Sequence, residues 1–268
     1  PHLLQAPRHM QLLRTSLFAA GAAIALSATA AQAQLTFYGD DTNGSATTRA
    51  TNVGTAAARN AFLAFLTGVV TEEFEPPTIN PGDTPPILLD FGSAGTATLN
   101  SGGASGRVVF DGGDGVSTNG NGRYANTNPG YYETRSTAND LTTFRIDFSQ
   151  QVASFGFVGI DIGDYNSQLT LVFQRGDGMG GYANVFEYVL PYAPSDGDNS
   201  LRDGSRLFAG YIAQNDAQRF DRVLFRGTDR DDVFAFDDMT VGAQVVPEPA
   251  TVGLLATGVA ALGLVGYR

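Results

Sequence analysis

Residues 144–162 read FRIDFSQQVASFGFVGIDI, and the first five of them decide the fold class. Phe144, Ile146 and Phe148 alternate with Arg145 and Asp147. Successive side chains of a strand point to opposite faces, so this is a strand with one packed and one wet face. Residues 152–162 follow with Phe155 and Phe157, and residues 168–174 with Leu169, Leu171 and Phe173. These two runs are expected to form a hairpin around Gly163-Asp164-Tyr165-Asn166. Downstream, residues 185–190, 207–213, 220–225 and 232–241 read as further strands, and upstream so do residues 35–38, 87–91, 96–99 and 107–110. About ten short strands separated by Gly, Ser and Asp turns predict a mainly β fold, an antiparallel β-sandwich of jelly-roll type. No repeat of about 20 to 50 residues is visible, which argues against a propeller or solenoid.

Residues 55–69 interrupt the β pattern. Phe62, Phe65, Leu66 and Val69 fall at i, i+3, i+4 and i+7, which predicts one helix near the start of the body. A Pro/Gly loop follows at residues 76–86, and a long Gly/Asn-rich loop at residues 111–131.

Composition removes whole classes of chemistry. The chain has 268 residues, 33 of them glycine and 18 phenylalanine, with no cysteine or tryptophan. All 16 basic residues are arginine, and the 2 histidines, His2 and His9, precede Met10. The body therefore cannot build a Ser-His-Asp or Cys-His pair, a lysine Schiff base or a His/Cys zinc site. The net charge of −11 repels phosphate backbones, so no nucleic-acid partner is expected.

The two ends read as addresses. Residues 10–33 look like a secretory signal, with Arg14, an apolar run at residues 17–26, and Ala31-Gln32-Ala33 as the cleavage site. Cleavage by signal peptidase after export by the Sec machinery would make Gln34 the new N-terminus, and residues 1–9 form an upstream extension. At the other end Val246-Pro247-Glu248-Pro249 precedes an uncharged run at residues 250–266 and then Tyr267-Arg268. Those roughly 17 residues span about 25 Å as a helix, slightly short of a bilayer core of about 30 Å but tolerable with local thinning. Arg14 and Arg268 would both stay cytoplasmic, leaving the acidic body on the far side. The expected division is a β-sandwich at residues 34–241, a linker with the Pro-Glu-Pro element at 242–249, and a membrane-spanning tail at 250–268.

Val246-Pro247-Glu248-Pro249-Ala250, the apolar helix and the terminal arginine together resemble the PEP-CTERM sorting signal of exported bacterial proteins, also catalogued as an ice-binding-protein-type C-terminal motif. The resemblance implies processing by an exosortase, a transient anchor in the inner membrane, and release to the cell surface or matrix of an exopolysaccharide-making Gram-negative bacterium. Family tails usually end in several arginines, whereas this one ends in Arg268 alone. The body also looks like a domain that such proteins often carry. That likeness rests on Glu72-Glu73-Phe74-Glu75, on Phe155-Gly156-Phe157 with Asp161-Ile162-Gly163-Asp164, and on Phe236-Asp237-Asp238-Met239-Thr240-Val241. It implies a fold and a location, and no catalytic residue.

Acids are the remaining chemical resource. They cluster at Asp161/Asp164, Asp196-Gly197-Asp198, Asp229/Asp231/Asp232 and Asp237-Asp238. Calcium takes six to eight oxygen ligands from such loops, so Asp161, Asp164 and Asp237 or Asp238 are its expected ligands if their strands are neighbours. Turn capping by Asp accounts for the same residues without a metal. Adjacent Asp237 and Asp238 should point to opposite faces. Two carboxylates suffice for glycoside hydrolysis, with Glu72, Glu73, Glu75, Glu133 and Glu187 as candidates. Tyr124, Tyr131, Tyr132 and Tyr165 are candidates for stacking on sugars. The leading expectation is a non-catalytic structural or adhesive β-sandwich needing no cofactor. The alternatives are a calcium-assisted carbohydrate-binding module and a carboxylate-only glycosidase.

Overall fold

The structure is a computed structural model that describes residues 34–101, 106–111, 118–135, 142–195, 202–228 and 232–244. Ala31 and Ala33 of the expected signal, the acids Asp196, Asp198, Asp229 and Asp231, the Val246-Pro247-Glu248-Pro249 stretch and the expected membrane tail lie outside them. Among the described residues no helix is long and apolar enough to cross a membrane.

The alternating run becomes β7 (Thr142–Val152), with Phe144, Ile146 and Phe148 packed inward and Arg145 paired to Asp147 on the outer face at 2.9 Å. With β3 (Ile87–Asp90), β4 (Thr96–Ser101), β9 (Thr170–Gly176), β10 (Tyr182–Val189) and β12 (Phe220–Arg226) it forms a six-stranded sheet in the order β10-β9-β12-β7-β4-β3. The facing sheet is ordered β1-β11-β8-β13-β6-β5. It comprises β1 (Leu35–Asp41), β5 (Arg107–Phe110), β6 (Gly130–Arg135), β8 (Ser154–Ile160), β11 (Arg206–Ile212) and β13 (Val233–Gln244), with β2 (Leu66–Glu72) also paired to β13.

All these pairings are antiparallel. Among them β6 pairs with β13, β7 with β12, β8 with β11 and β9 with β10. The pairs are nested, as in one long hairpin rolled up so that its successive pairs lie in alternate sheets. That is the wiring of a jelly roll.

The same wiring overturns the expected hairpin. β8 belongs to one sheet and β9 to the other, so the chain between them crosses the sandwich. The helix is also shorter than its pattern: α1 covers Gly54–Leu63, and Leu66–Glu72 is strand β2 against Met239–Gln244 of β13. Phe62 is buried, while Phe65 and Val69 are each 39% exposed. Sheet pairing to a long β13 competes with helix propagation, and the β-branched Val69-Val70-Thr71 run favours the sheet. β6 begins inside the stretch expected to be loop, and β13 runs on to Gln244, into the expected linker.

The core between the sheets is aromatic. Phe144 and Phe225 stack at 4.0 Å between centroids, and Phe155, Phe157 and Phe236 pack edge-on or tilted around Phe225. A second cluster on the other face of the β8 sheet is closed by Phe62 of α1 with Phe208, Val158, Ile160 and Tyr131. Both faces of β8 are thus covered, and every residue of that strand is buried.

Candidate functional site

β8 and β11 are neighbours with Ile160 opposite Arg206, so the residues just after β8 meet those just before β11. The Asp161 N–H donates to the Ser205 carbonyl at 2.9 Å, and the Gly204 N–H donates to Asp161 Oδ1 at 2.9 Å. This places Asp161 beside Asp203, and the turn after Ile162 brings Asp164 to the same point. One oxygen from each of Asp161, Asp164 and Asp203 lies within 4.8 Å of the others, and all three residues are buried. They line a polar cavity of about 480 Å³ with Arg123, Arg135 and Tyr165.

Asp232, wholly buried just before β13, backs this group. Its Oδ2 accepts from the Gly163 N–H at 3.2 Å, while its Oδ1 and Asp164 Oδ1 are buried without a hydrogen-bond partner. Burial raises the pKa of Asp161 well above its ordinary value, and the Asp164 charge adds to it. Burial likewise raises Asp164 and Asp232, whose carboxyls face each other. Arg123 is in ionic contact with the group, 2.8 Å from Glu133 and 3.3 Å from Asp161.

Asp161 and Asp164 are therefore brought together, but with Asp203 and Asp232, and Asp237 and Asp238 are outside the group. Asp203 was missed because the closeness of β8 and β11 is a property of topology. The Asp203-Gly204 turn pair was its only local signal.

Asp237 and Asp238 serve the loop before β6. Asp237 Oδ2 accepts from the backbone N–H of Asn126 (2.7 Å) and Thr127 (3.2 Å), and its Oδ1 from the Asp238 N–H (2.7 Å). Asp238 accepts from Asn126 Nδ2 at 2.7 Å and from the Thr127 hydroxyl. Both side chains reach one loop, against the expected alternation, because the β13–β8 register shifts between Asp237 and Thr240 and Asp238 sits at φ 49°. An extra residue in one strand of a pair is a β-bulge, which breaks the period of two.

The glutamates are committed to structure. Glu72 accepts from the Phe74 N–H, Glu75 from the Gly130 N–H and Glu73 from Asn128, while Glu133 pairs with Arg123 and Glu187 accepts from Asn184. None lines the acidic cavity. Tyr124, Tyr131 and Tyr132 are fully buried, so no sugar can stack on them. Tyr165, half-buried, lines the acidic cavity.

The outer face of the six-stranded sheet carries a second polar array. Asp147 on β7 accepts from Asn100 Nδ2 on β4 (2.8 Å), Arg145 Nε (2.9 Å) and Arg222 Nε on β12. The Arg222 guanidinium lies 3.4 Å above the Tyr182 ring on β10, and Gln174 on β9 donates to Asn184 at 2.8 Å. The row crosses five strands, and Tyr182, absent from the expected tyrosines, is its exposed aromatic at 41%.

No family model matches the chain, and no curated protein does. Among solved structures it is similar to the K2 cleaved adhesin domain of Lys-gingipain, with 13% identity over 65% of this chain and 98% of that one and a TM-score of 0.39. It is similar to the CBM22-1 xylan-binding domain of Paenibacillus barcinonensis Xyn10C, with 13% identity over 62% and 98% and a TM-score of 0.32. The family 11 carbohydrate-binding module of Clostridium thermocellum Lic26A-Cel5E gives 10% identity over 66% and 96%, also with a TM-score of 0.32. Likenesses this remote carry no argument about activity or ligand.

Proposed function

We propose that this is an exported protein of the cell surface or extracellular matrix, sorted by an exosortase through Val246-Pro247-Glu248-Pro249, whose β-sandwich adheres rather than catalyses. The observation that carries the adhesive reading is the polar array across the six-stranded sheet. Amide, carboxylate and guanidinium groups and one exposed ring lie along a single sheet face. Such a face suits a hydroxyl-rich polymer such as an exopolysaccharide, which offers donors, acceptors and C–H surfaces for stacking on Arg and Tyr. The non-catalytic reading rests on the structural roles of all five candidate glutamates and on a body without His, Cys or Lys. Binding to a glycan array that is lost in Tyr182→Ala and Arg222→Ala but kept in Asp216→Asn is the expected result. Binding unchanged in the first two variants would overturn the placement.

The address is tested apart from the adhesion. Replacing Pro247-Glu248-Pro249 by alanines should leave a membrane-bound, unprocessed precursor in cells that mature the parent protein. Normal maturation of that variant would sink the sorting claim.

A further inference from the structure

We infer that the cavity between the end of β8 and the start of β11 is a calcium site, with Asp161, Asp164 and Asp203 as direct ligands and Asp232 as the group that orients Asp164. The spacing fits the ion. Calcium binds oxygen at about 2.3–2.6 Å, so two of its ligands lie at most about 5 Å apart, and the three carboxylate oxygens lie within 4.8 Å of one another.

Three further observations point to an ion and away from a purely structural cluster. Asp232 Oδ1, on a residue with no exposed surface, and Asp164 Oδ1 are buried on carboxyls that face each other, with no other donor among the described residues. A buried carboxylate oxygen is costly unless a donor or a cation meets it. Arg123 is committed elsewhere, since its Nε donates to Glu133 and its Nη1 to Asp161 and to the carbonyls of Asn121 and Val233. Next, the wall facing the carboxylates is Gly122, where a Cβ would stand 2.3 Å from Asp161 Oδ1 and 2.8 Å from Asp203 Oδ1. Any other residue would fill the space in front of both ligands. Finally, the cavity of about 480 Å³ has room for the waters that complete a coordination sphere, each needing about 30 Å³.

An all-oxygen donor set selects a hard cation. Between the two common ones, magnesium demands near-octahedral geometry at about 2.0–2.1 Å and gives up its waters reluctantly. Three carboxylates on separate turns suit the larger, more tolerant calcium. Bound there, the ion adds to the hydrogen bonds and the Arg123–Asp161 pair that already hold this corner, and offsets the repulsion among its three carboxylates.

The test uses the full-length chain in mild detergent, stripped with EGTA, dialysed free of chelator and titrated with CaCl2 by calorimetry and thermal unfolding. One calcium per chain is expected, with Kd on the order of 10⁻⁴–10⁻³ M as in extracellular calcium modules. At about a hundredfold excess over Kd, the midpoint of unfolding should rise by about 5–10 °C. MgCl2 at equal concentration should give less than half of that shift. Asp203→Asn and Asp164→Asn should each weaken calcium at least about tenfold, while their midpoints in EGTA stay level or rise because a like charge is gone. Asp216→Asn, on the surface, should bind as the parent does. No heat and no shift with millimolar CaCl2, or unchanged affinity in both ligand variants, would overturn the site.

Discussion

Phe62 sits over a gap that two glycines leave in the sheet. Gly156 of β8 and Gly210 of β11 are cross-strand partners, and a Cβ on Gly210 would come 2.8 Å from Phe62 Cδ2 and 3.0 Å from Phe208 Cε1. Gly210→Ala should therefore overpack the seat and cost about 1–3 kcal/mol. Phe62→Ala should open a cavity and cost about 3–5 kcal/mol. The double variant should lose less than the sum, because the new methyl occupies space the ring vacated. Urea unfolding of the three proteins checks this, and strict additivity would show that ring and glycine do not share the seat. At this scale the sequence was half legible. The inward set of β7 followed from alternation alone, but the burial of Tyr131 and Tyr132 did not. Tyr132 faces the inter-sheet core and Tyr131 the cluster beneath α1, so two adjacent residues are both covered and no period of two appears.

Among elements, α1 owes its start to a residue outside it. Asp41, at the end of β1, accepts from the backbone N–H of Gly54 (3.0 Å) and Thr55 (2.9 Å) at the helix N-terminus, and from Val53 (3.2 Å). Burial opposes ionisation of Asp41, yet these donors outweigh it and hold its pKa below 3.8. A lowered pKa means stability that is present above about pH 4 and is lost as pH falls through the folded value. Asp41→Ala should cost about 1–2 kcal/mol at pH 7, as the loss of a helix cap does, and much less near pH 2. An equal penalty at both pH values, measured by urea unfolding, would show that the charge plays no part. The strands were mostly readable from local pattern, whereas their partners were not. Neighbours in sequence usually pair, which is why residues 152–174 read as a hairpin. In a rolled ribbon β8 instead finds β11, some fifty residues on, and the acidic cavity exists only because of that pairing. The end of α1 failed for a related reason: the helical spacing of residues 62–69 is real, but β13 pairs with five residues between Leu66 and Glu72.

For the molecule as a whole, the buried acids set how stability runs with pH. Burial raises Asp161, Asp164, Asp232 and Asp237 above their ordinary value of 3.8. Groups raised on folding hold their protons more tightly in the folded state. Their stabilisation is complete below about pH 4 and is lost as pH rises through the folded values. Asp41 acts in the opposite sense only below that window, and Arg123 lowers Asp161 and Asp164 without reversing them. In EGTA the unfolding midpoint should therefore fall between pH 5 and pH 8. Calcium competes with protons for Asp161 and Asp164, so its contribution must grow over the same interval. The curves with and without calcium should diverge as pH rises, by about 5–10 °C at pH 8 under saturating metal. Asp237 keeps the calcium curve from being flat, since its donors are Asn126, Thr127 and Asp238 and no metal replaces them. Asp237→Asn should lessen the fall in both media, whereas Asp164→Asn should lessen it in EGTA and remove the divergence. Scanning calorimetry of the parent and both variants across that range separates these contributions. Parallel curves for the parent would mean that the cavity holds protons and no calcium.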